Sequence, residues 1–284
     1  NKLKCEVFLP DKEIINNNKI DINYQLSFGY LMAYIYYGNK RYEASLEQLE
    51  VLKNRANKKN ALSREMFDAI SRVGEKLKKN RLVRAIILTG AGSDFCSGLD
   101  TSTFTQWASN FDKVRNDLTM RPVGENANWF QKPCYVWQEI EVPVIAAIKG
   151  VAFGGGIQLA LAADFRIAAP DSKFSIMESK WGIIPDLGIT QNLPKLTRAD
   201  IAKELIMTGR IFDGKEAFNL GLVTMIDKDP LASAEDFANK LIKRSPDVLK
   251  GAKKLIEDSW VAPLGEGLTM ESDIQSRIMG YENN

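Results

Sequence analysis

The sequence predicts an α/β fold, in which a core of strands and helices is followed by a helical carboxyl-terminal region. Short apolar runs at 83–90, 144–149 and 164–169 are typical of buried strands, and helical patterns lie between them. From residue 198 onwards, apolar residues recur at helical spacing. The 284 residues are 45% hydrophobic and 26% charged, which is ordinary globular composition.

The amino-terminal segment, residues 1–44, cannot be placed from the sequence. Its aromatic run YQLSFGYLMAYIYYG at 24–38 is compatible with strands at the edge of a sheet. The stretch EASLEQLEVLK at 43–53 fits either a helix on its leucines or a strand at its end, and both interpretations stay open. We therefore divide the chain into an unplaced segment at 1–44, a core at 45–197 and a helical region at 198–284.

Capping residues mark the clearest helices. In NALSREMFDAISRVGEKLKKN at 60–80, Ser63 is placed as the N-cap of an amphipathic helix. Asp213 and Glu216 form a capping-box pattern before a helix that Gly221 ends. Apolar stripes on the last helices predict packing on the core or on a partner subunit. These last helices are predicted at 245–260 and 264–280.

The run PVIAAIKGVAFGGGIQLALAAD at 143–164 has the length of a membrane span, but we do not predict one. Lys149 lies inside it, and three consecutive glycines would each weaken a helix by about 1 kcal/mol relative to Ala. The spacing of a nucleotide-binding glycine loop is missing. Two interpretations remain: a tight corner between a strand and a helix at 156–163, or such a corner used to stabilise an anion. In the second, the free N–H of Gly155 donates to a developing oxyanion.

A loop with a second candidate donor follows the first predicted strand. It reads AGSDFCSGLD at 91–100, and the N–H of Leu99, beside Gly98, is placed to meet the same anion as Gly155. Cys96 in this loop is interpreted as a small packing residue rather than a nucleophile.

The chain contains no histidine, and this excludes several kinds of active site. Ser–His and Cys–His nucleophile pairs are ruled out, and the three scattered cysteines do not close a zinc site, so no metal is predicted. Acid–base chemistry near neutral pH then falls to carboxylates, Lys, Tyr or Cys. The sparse, odd cysteine set predicts a reducing compartment, and hence a cytoplasmic protein. A net charge of +2 gives no global attraction to nucleic acid or anionic lipid.

Three ordered motifs together resemble the crotonase superfamily, the enoyl-CoA hydratases and isomerases. The resemblance covers about 54–284. It implies a spiral of ββα units with a helical carboxyl-terminal region that forms a homotrimer or a dimer of trimers. It also implies an acyl-CoA thioester substrate, with coenzyme A as part of that substrate and no other cofactor. The motifs are DFCSGLD, AAIKGVAFGGGIQLALAADFRIAAPDSKFSIMESKWGIIPDLG and TGRIFDGKEAFNLGLV.

The resemblance also implies roles for backbone groups and for the residues that hold coenzyme A. In this family an enolate oxygen lies between two backbone N–H groups, which correspond to Leu99 and Gly155. The loop around the N-A-L motif helps to hold coenzyme A, and its lysines are otherwise solvated surface charges. The coenzyme A contacts implied here are Lys58, Lys59, Ala61 and Asp100.

The acids that move protons follow from the same resemblance. Family hydratases use two glutamates, which correspond to Gln158 and Glu178, so one acid is replaced by an amide that can only orient a water or a neighbour. Glu178 is the predicted base, with a surface ion pair to Lys180 as the alternative. Dienoyl-CoA isomerases carry an acid eight residues further on, which corresponds to Asp186; the alternative is a turn-forming Asp after Pro. Those isomerases carry an Asp where Gln158 stands.

Three functional hypotheses result. The first is a double-bond isomerase of the dienoyl-CoA type, in which Glu178 removes a proton and Asp186 returns one. The second is hydration of a 2-enoyl-CoA by Glu178 and a water that Gln158 holds. The third is an RNA-binding or scaffold protein with a basic helix end at 76–81, which is otherwise a solvated face. Three aromatic residues are candidates for an acyl pocket or for plain core: Trp137, Phe153 and Trp181.

Overall fold

The frame of the molecule is a six-stranded sheet, in a computed structural model that describes residues 32–37, 40–44 and 56–279. Within the described residues, the strands and their bounds are β1 (Met32–Tyr37), β2 (Lys40–Ala44), β3 (Val83–Thr89), β4 (Val144–Ile148), β5 (Val151–Phe153), β6 (Phe165–Ala168), β7 (Lys173–Ser175), β8 (Phe212–Asp213) and β9 (Met225–Ile226). The order across the large sheet is β2-β1-β3-β4-β6-β9, and a second sheet has the order β5-β7-β8.

The centre of the large sheet is parallel and its amino-terminal edge is antiparallel. Strands β3, β4, β6 and β9 run in the same direction, with Ile86 opposite Val144 and Ile145 opposite Phe165. Strands β1 and β2 pair antiparallel with each other, and β1 pairs antiparallel with β3. Residues 32–37 of the aromatic run therefore form a strand as expected, but β1 is second in the sheet because β2 forms its edge. Residues 43 and 44 belong to β2, and the rest of the stretch at 43–53 lies outside the described residues.

Eleven α-helices surround these strands in the part of the chain that the structure describes. They are α1 (Arg64–Lys79), α2 (Thr101–Ala108), α3 (Phe111–Thr119), α4 (Lys132–Gln138), α5 (Gly155–Leu161), α6 (Leu193–Leu196), α7 (Ala199–Thr208), α8 (Gly214–Asn219), α9 (Pro230–Leu241), α10 (Pro246–Ser259) and α11 (Leu264–Ile278). Two 3₁₀ turns, Glu178–Trp181 and Ile189–Gln191, lie between β7 and α6.

The predicted first helix is confirmed, and its packing explains its sequence. Ser63 caps α1 by accepting a hydrogen bond from the N–H of Met66 at 3.4 Å. Gly74 faces α4 so closely that a Cβ at this position would lie 2.4 Å from a methyl group of Val136. A larger residue there would separate the two helices, so the glycine sets their spacing.

Helices cover both faces of the sheet, so its central strands are apolar on both sides. Ile86 and Leu88 belong to the large core with α1, α4 and α5, while Ile87 packs on the opposite face against α9. All are fully buried, and each such side chain contributes about 1.5–3 kcal/mol through removal from water.

The glycine-rich run at 143–164 forms β4, β5 and α5 rather than one helix. Lys149, the last residue of the predicted strand, follows β4. Gly154 precedes α5, of which Gly155 and Gly156 are the first residues. The prediction that this run is not a membrane-spanning helix is confirmed, whereas β5 was not predicted. In the described residues, no helix is both long and apolar enough to cross a membrane.

Two details differ from the sequence-based expectations. Asp213 accepts a hydrogen bond from the N–H of Glu216 at 2.9 Å, but the Glu216 carboxylate pairs with Arg210 at 2.7 Å, so only half of the capping box forms. The guanidinium offers that carboxylate a charged partner, which a backbone N–H does not. Strands β8 and β9 lie beyond residue 197 and join the two sheets, so the strands of the core extend into the region at 198–284 that was predicted as mostly helical.

Candidate active site

A cavity of about 820 Å³ opens between the loop that ends at Asp100, the glycine corner (Gly154–Gly156), helices α2 and α3, and the segment at 177–187. Its size lies within the usual range for small-molecule sites. Four predicted site residues line it on different elements: Leu99, Gly155, Glu178 and Asp186. The fold therefore brings together side chains and amides that are up to 87 positions apart in the sequence.

The loop before α2 is fastened directly to the glycine corner. Cys96 pairs with Ala152 in a parallel bridge, and its carbonyl accepts from the N–H of Phe153 at 3.0 Å. Gly156 is needed at this contact because a Cβ there would lie 2.3 Å from the Cys96 carbonyl oxygen. Gly98, with φ of +91°, turns the loop beside the corner.

This fastening places the two predicted donors on one cavity wall. Leu62 donates to the Gly98 carbonyl and accepts from the N–H of Asp100, so the N–H of Leu99 between them points away from this pairing. Gly155 is the first residue of α5, and its N–H therefore has no acceptor within the helix. Neither N–H group has an acceptor among the residues that the structure describes, and both residues line the cavity.

Asn60 is a supporting residue that the sequence reasoning missed. Its buried side-chain amide donates to the carbonyls of Ala91, Asp94 and Phe95 at 2.7–3.2 Å, which holds the loop before Cys96 in place. Its φ of +55° suits Asn better than most residues. The signal was the Asn in the N-A-L motif itself, which the sequence reasoning used only for coenzyme A.

Glu178 lies at the start of a 3₁₀ turn against the glycine corner, and its exposed fraction is 7%. Burial raises the pKa of its carboxyl, the hydrogen bond from Gln158 lowers it, and the nearby charge of Asp186 raises it further. The Oε2 atom is buried and has no hydrogen-bond partner among the described residues. The alternative interpretation as a surface ion pair with Lys180 is excluded by this burial.

Gln158 is held on both ends of its amide. Its Nε2 donates to Glu178 Oε1 at 2.7 Å, and its Oε1 accepts from the N–H of Leu187 at 2.9 Å. The side chain is almost completely buried. It therefore orients the Glu178 carboxylate and fixes the backbone next to Asp186. An amide does not ionise near neutral pH, so Gln158 cannot act as an acid or a base.

Asp186 lies on the irregular segment between two left-handed glycines, Gly182 and Gly188. It lines the same cavity as Glu178 and is partly buried. Burial raises the pKa of its carboxyl to about 6. The pKa values of both carboxyls in the cavity, those of Glu178 and Asp186, are therefore raised above the usual range. Gln158 contacts the first carboxyl directly and the backbone N–H of Leu187 beside the second.

The residues predicted to hold coenzyme A divide into two sets. Lys58, Ala61 and Asp100 line the cavity, and the Lys58 ammonium lies 3.6 Å from the Asp100 carboxylate. Asp100 also caps α2 through the N–H of Ser102 at 2.8 Å. Lys59 points elsewhere and pairs with Asp94 at 3.7 Å. The coenzyme A roles of these residues stay predictions.

The aromatic lining differs from the candidates named from the sequence. Trp181 lines the cavity and packs against Phe104 with ring centroids 5.8 Å apart, whereas Trp137 is fully buried in the core. Phe153 is not part of the lining found for the described residues. The sequence reasoning missed an aromatic group from α1, α2 and the segment before α4, which consists of Phe67, Trp107 and Phe130.

Cys96 behaves as the packing residue that the sequence predicted. Its side chain is buried, and its sulfur accepts a hydrogen bond from the N–H of Gly98 at 3.4 Å. Burial raises the pKa of the thiol to about 12, so it is not a thiolate near neutral pH.

A cluster of three carboxylates lies outside the cavity, and a lysine fills its centre. Glu75, Glu125 and Glu139 come close enough to share an ion, but the Lys132 ammonium lies 2.7–2.9 Å from an oxygen of each. The cluster ties α1 to α4 and the loop before it. The lysine already supplies the charge that a cation would bring.

Comparison with known proteins finds relatives over most of this chain. The family model described as enoyl-CoA hydratase/isomerase matches residues 47–283. Human mitochondrial methylglutaconyl-CoA hydratase is 34% identical over 225 residues, which are 77% of this chain but only 63% of that protein. The peroxisomal Delta(3,5)-Delta(2,4)-dienoyl-CoA isomerase of Arabidopsis thaliana is 35% identical over 226 residues, 76% of this chain and 79% of that protein.

A solved structure shows the same fold with a ligand of the expected class. It is a Thermobifida fusca YX protein described as an enoyl-CoA hydratase, in complex with CoA. The TM-score is 0.69 at 26% identity, and the match covers 79% of this chain and 86% of that one.

Proposed function

This chain belongs to the enoyl-CoA hydratase/isomerase family, the crotonase superfamily, and on that premise we propose that it is a double-bond isomerase of the dienoyl-CoA type. Its relatives are hydratases and isomerases, and the chain is an enzyme of that family. The observation that carries the finer proposal is the pair of acids, Glu178 and Asp186, in one cavity with a glutamine where hydratases have a second glutamate.

In the proposed reaction, Glu178 and Asp186 move one proton along the acyl chain. The Glu178 carboxylate takes a proton from C2 of a 3,5-dienoyl thioester, and the electrons of that C–H bond move toward the thioester oxygen. Protonated Asp186 gives a proton to C6, and the electrons return to leave double bonds at C2 and C4. Glu178 then releases its proton to solvent, and Asp186 takes one up before the next turnover.

The amides of Leu99 and Gly155 are proposed to form the oxyanion hole. Both line the cavity, and their N–H groups are not used by the pairing of Leu62 or by the first turn of α5. The enolate oxygen carries more negative charge than the carbonyl from which it forms, so each donor gains strength in the transition state. One such donor is typically worth about 3 kcal/mol.

Gln158 favours isomerisation over hydration in this site. Hydration requires one group to activate water and another to deliver a proton, and family hydratases use two glutamates for this. Here the Gln158 amide makes hydrogen bonds to Glu178 and to the backbone at Leu187. Its polar atoms are therefore engaged in positioning the acids, and it has no proton to give.

Substitution of Asp186 by Asn tests the proposed division of roles. We expect isomerisation of a 3,5-dienoyl-CoA to fall by about 10²–10⁴-fold, because the proton donor to C6 is removed. The measurement is the absorbance of the conjugated 2,4-dienoyl product over time. An unchanged rate would show that Asp186 does not deliver the proton.

The pH dependence of the same reaction gives a second measurement. Because Asp186 must be protonated and burial raises its pKa to about 6, we expect the wild-type rate to decline as pH rises through about 6.

The melting temperature of the Asp186→Asn variant is the control that separates a loss of activity from a loss of folding. The folded Asp186 binds its proton more tightly than an unfolded Asp of pKa 3.8, so its contribution to stability decreases as pH rises through this range. Asp186→Asn should therefore melt no lower than wild type at pH 8.

Hydration of a 2-enoyl-CoA is the second candidate, and the relatives named as hydratases support it. In this alternative, the unpaired Oε2 atom of Glu178 takes a proton from water as the water oxygen adds to C3, and the Glu178 carboxyl then gives that proton to C2. The Asp186→Asn experiment separates the two functions, since a hydratase that depends on Glu178 would lose little water addition to crotonyl-CoA. Rapid hydration by wild type, together with no dienoyl isomerisation, would replace the first proposal by this one.

The helical carboxyl-terminal region is proposed to form a homotrimer. Helices α10 and α11 are partly exposed along their whole length, and the turn between them carries Trp260, Val261 and Leu264 at 53–87% exposure. An apolar surface of this kind marks an interface. We expect sedimentation at micromolar concentration to give three or six times the chain mass. A single chain mass would contradict the proposal.

The predicted cellular location and cofactor use of this protein stay predictions. The relatives include proteins named mitochondrial and peroxisomal, so the cytoplasmic location stays a prediction. The same is true of the prediction that coenzyme A, as part of the substrate, is the sole cofactor. The basic helix end considered for RNA contains Lys78, which pairs with Glu139 at 3.3 Å. That ion pair supports the interpretation as an ordinary surface.

A further inference from the structure

One wall of the cavity is built almost entirely from hydrocarbon. We call it the acyl wall and define it by the following residues of α1, α2, α3 and the segment before α4: Phe67, Trp107, Phe111, Val114, Leu118 and Phe130. Three of these rings pack edge to face, with Trp107 and Phe130 centroids 4.9 Å apart and Phe67 and Trp107 centroids 6.1 Å apart. Such a wall favours apolar groups that leave water.

The charges that line the cavity are mostly negative. Asp100, Glu178 and Asp186 are the acids, and Lys58 is the one cation among the lining residues that the structure describes. Lys58 already lies 3.6 Å from Asp100. A carboxylate at the far end of a bound acyl chain would therefore meet like charges, and no residue in the described lining would give it a free cationic partner.

Arg64, a cation that lies near this aromatic group, has its guanidinium turned to other partners. The guanidinium of Arg64 lies 4.4 Å over the Trp129 ring, and it pairs with Asp117 at 3.5 Å. Arg64 is not among the residues that line the cavity in the described chain. Trp129 itself stacks on Phe67 at 5.1 Å, so it stands beside the acyl wall.

We infer that the cavity selects acyl-CoA thioesters with an uncharged, apolar acyl chain and rejects those whose chain ends in a carboxylate. The inference rests on the proposed function, because it takes the cavity to be the acyl-CoA site. A buried carboxylate without a partner loses its hydration and gains nothing in return. Methylglutaconyl-CoA, whose acyl group ends in a carboxylate, is therefore excluded as the preferred substrate.

A matched pair of unreactive ligands tests this inference by binding alone. Hexanoyl-CoA and adipoyl-CoA have acyl chains of equal carbon number, and the second ends in a carboxylate. Both, and free CoA, would be titrated into the full chain by calorimetry at pH 8. We expect hexanoyl-CoA to bind at least about tenfold more tightly than adipoyl-CoA.

The outcomes separate the inference from the function on which it rests. Equal affinities, or tighter binding of adipoyl-CoA, would overturn the inference while leaving an acyl-CoA site in place. If neither thioester bound more tightly than free CoA, the proposed function itself would be wrong.

A variant pair on α3 provides the matched control. Val114→Lys places a cation on the acyl wall, whereas Asn116→Lys adds the same charge at an exposed position of the same helix that does not line the cavity. We expect Val114→Lys to narrow the ratio of affinities at least threefold, and Asn116→Lys to leave it as in wild type. If both variants changed this ratio of affinities equally, the acyl wall would not be the surface that discriminates against a charged acyl chain.

Discussion

Replacement of Glu178 by Gln is expected to lower the turnover of this enzyme by about 10²–10⁴-fold and to leave acyl-CoA affinity close to that of wild type. The new amide has the shape of the glutamate, and its oxygen can still accept the hydrogen bond from Gln158 that is 2.7 Å long in the present structure. The variant therefore keeps the cavity but loses the group that removes the proton. Both isomerisation and hydration depend on that group, so both activities should fall.

The measurement is the initial rate on a 3,5-dienoyl-CoA and on crotonyl-CoA, with hexanoyl-CoA affinity measured in parallel. Glu266→Gln, at an exposed position in α11, makes the same chemical change outside the cavity and should behave as wild type. Burial raises the pKa of Glu178, so its removal should not lower the melting temperature at pH 8. A Glu178→Gln variant that kept its rate within threefold would remove this residue from the mechanism.

Replacement of Gly156 by Ala is expected to damage both stability and activity. The added Cβ would lie 2.3 Å from the Cys96 carbonyl oxygen and 2.9 Å from the Cys96 Cβ, so backbone must move. Overpacking of this kind typically costs about 1–3 kcal/mol of unfolding free energy. The same movement separates the loop that carries Leu99 from the corner that carries Gly155. Loss of one oxyanion donor typically lowers turnover by about 10²–10³-fold.

Urea denaturation and steady-state rates measure the two effects separately. Gly265→Ala is the matched control, because it lies in α11 with open space where its Cβ would be. We expect that control to be neutral or slightly stabilising, since Ala favours helix by about 1 kcal/mol over Gly. If Gly156→Ala were as stable and as active as wild type, the contact between loop and corner would not position the amides.

Much of the site follows from local patterns along the chain. The glycine corner, the loop with Leu99 and the acids Glu178 and Asp186 lie in motifs whose order and spacing resemble one superfamily. The absence of histidine confined proton transfer to other groups before any fold was known. Such features are readable because backbone turns and residue chemistry depend mainly on neighbouring positions.

Contacts between distant segments decided the rest. Gln158 donates a hydrogen bond to Glu178, which lies 20 residues further along the chain. The acyl wall combines residues of α1, α2, α3 and the segment before α4 in one surface. Local patterns also could not show that Lys59 turns to Asp94, or that β1 pairs with β3. The sequence by itself determined which chemical groups are present and where the chain turns. Only the tertiary structure decided which groups meet, because packing between segments, rather than spacing within them, sets burial, charge partners and cavity walls.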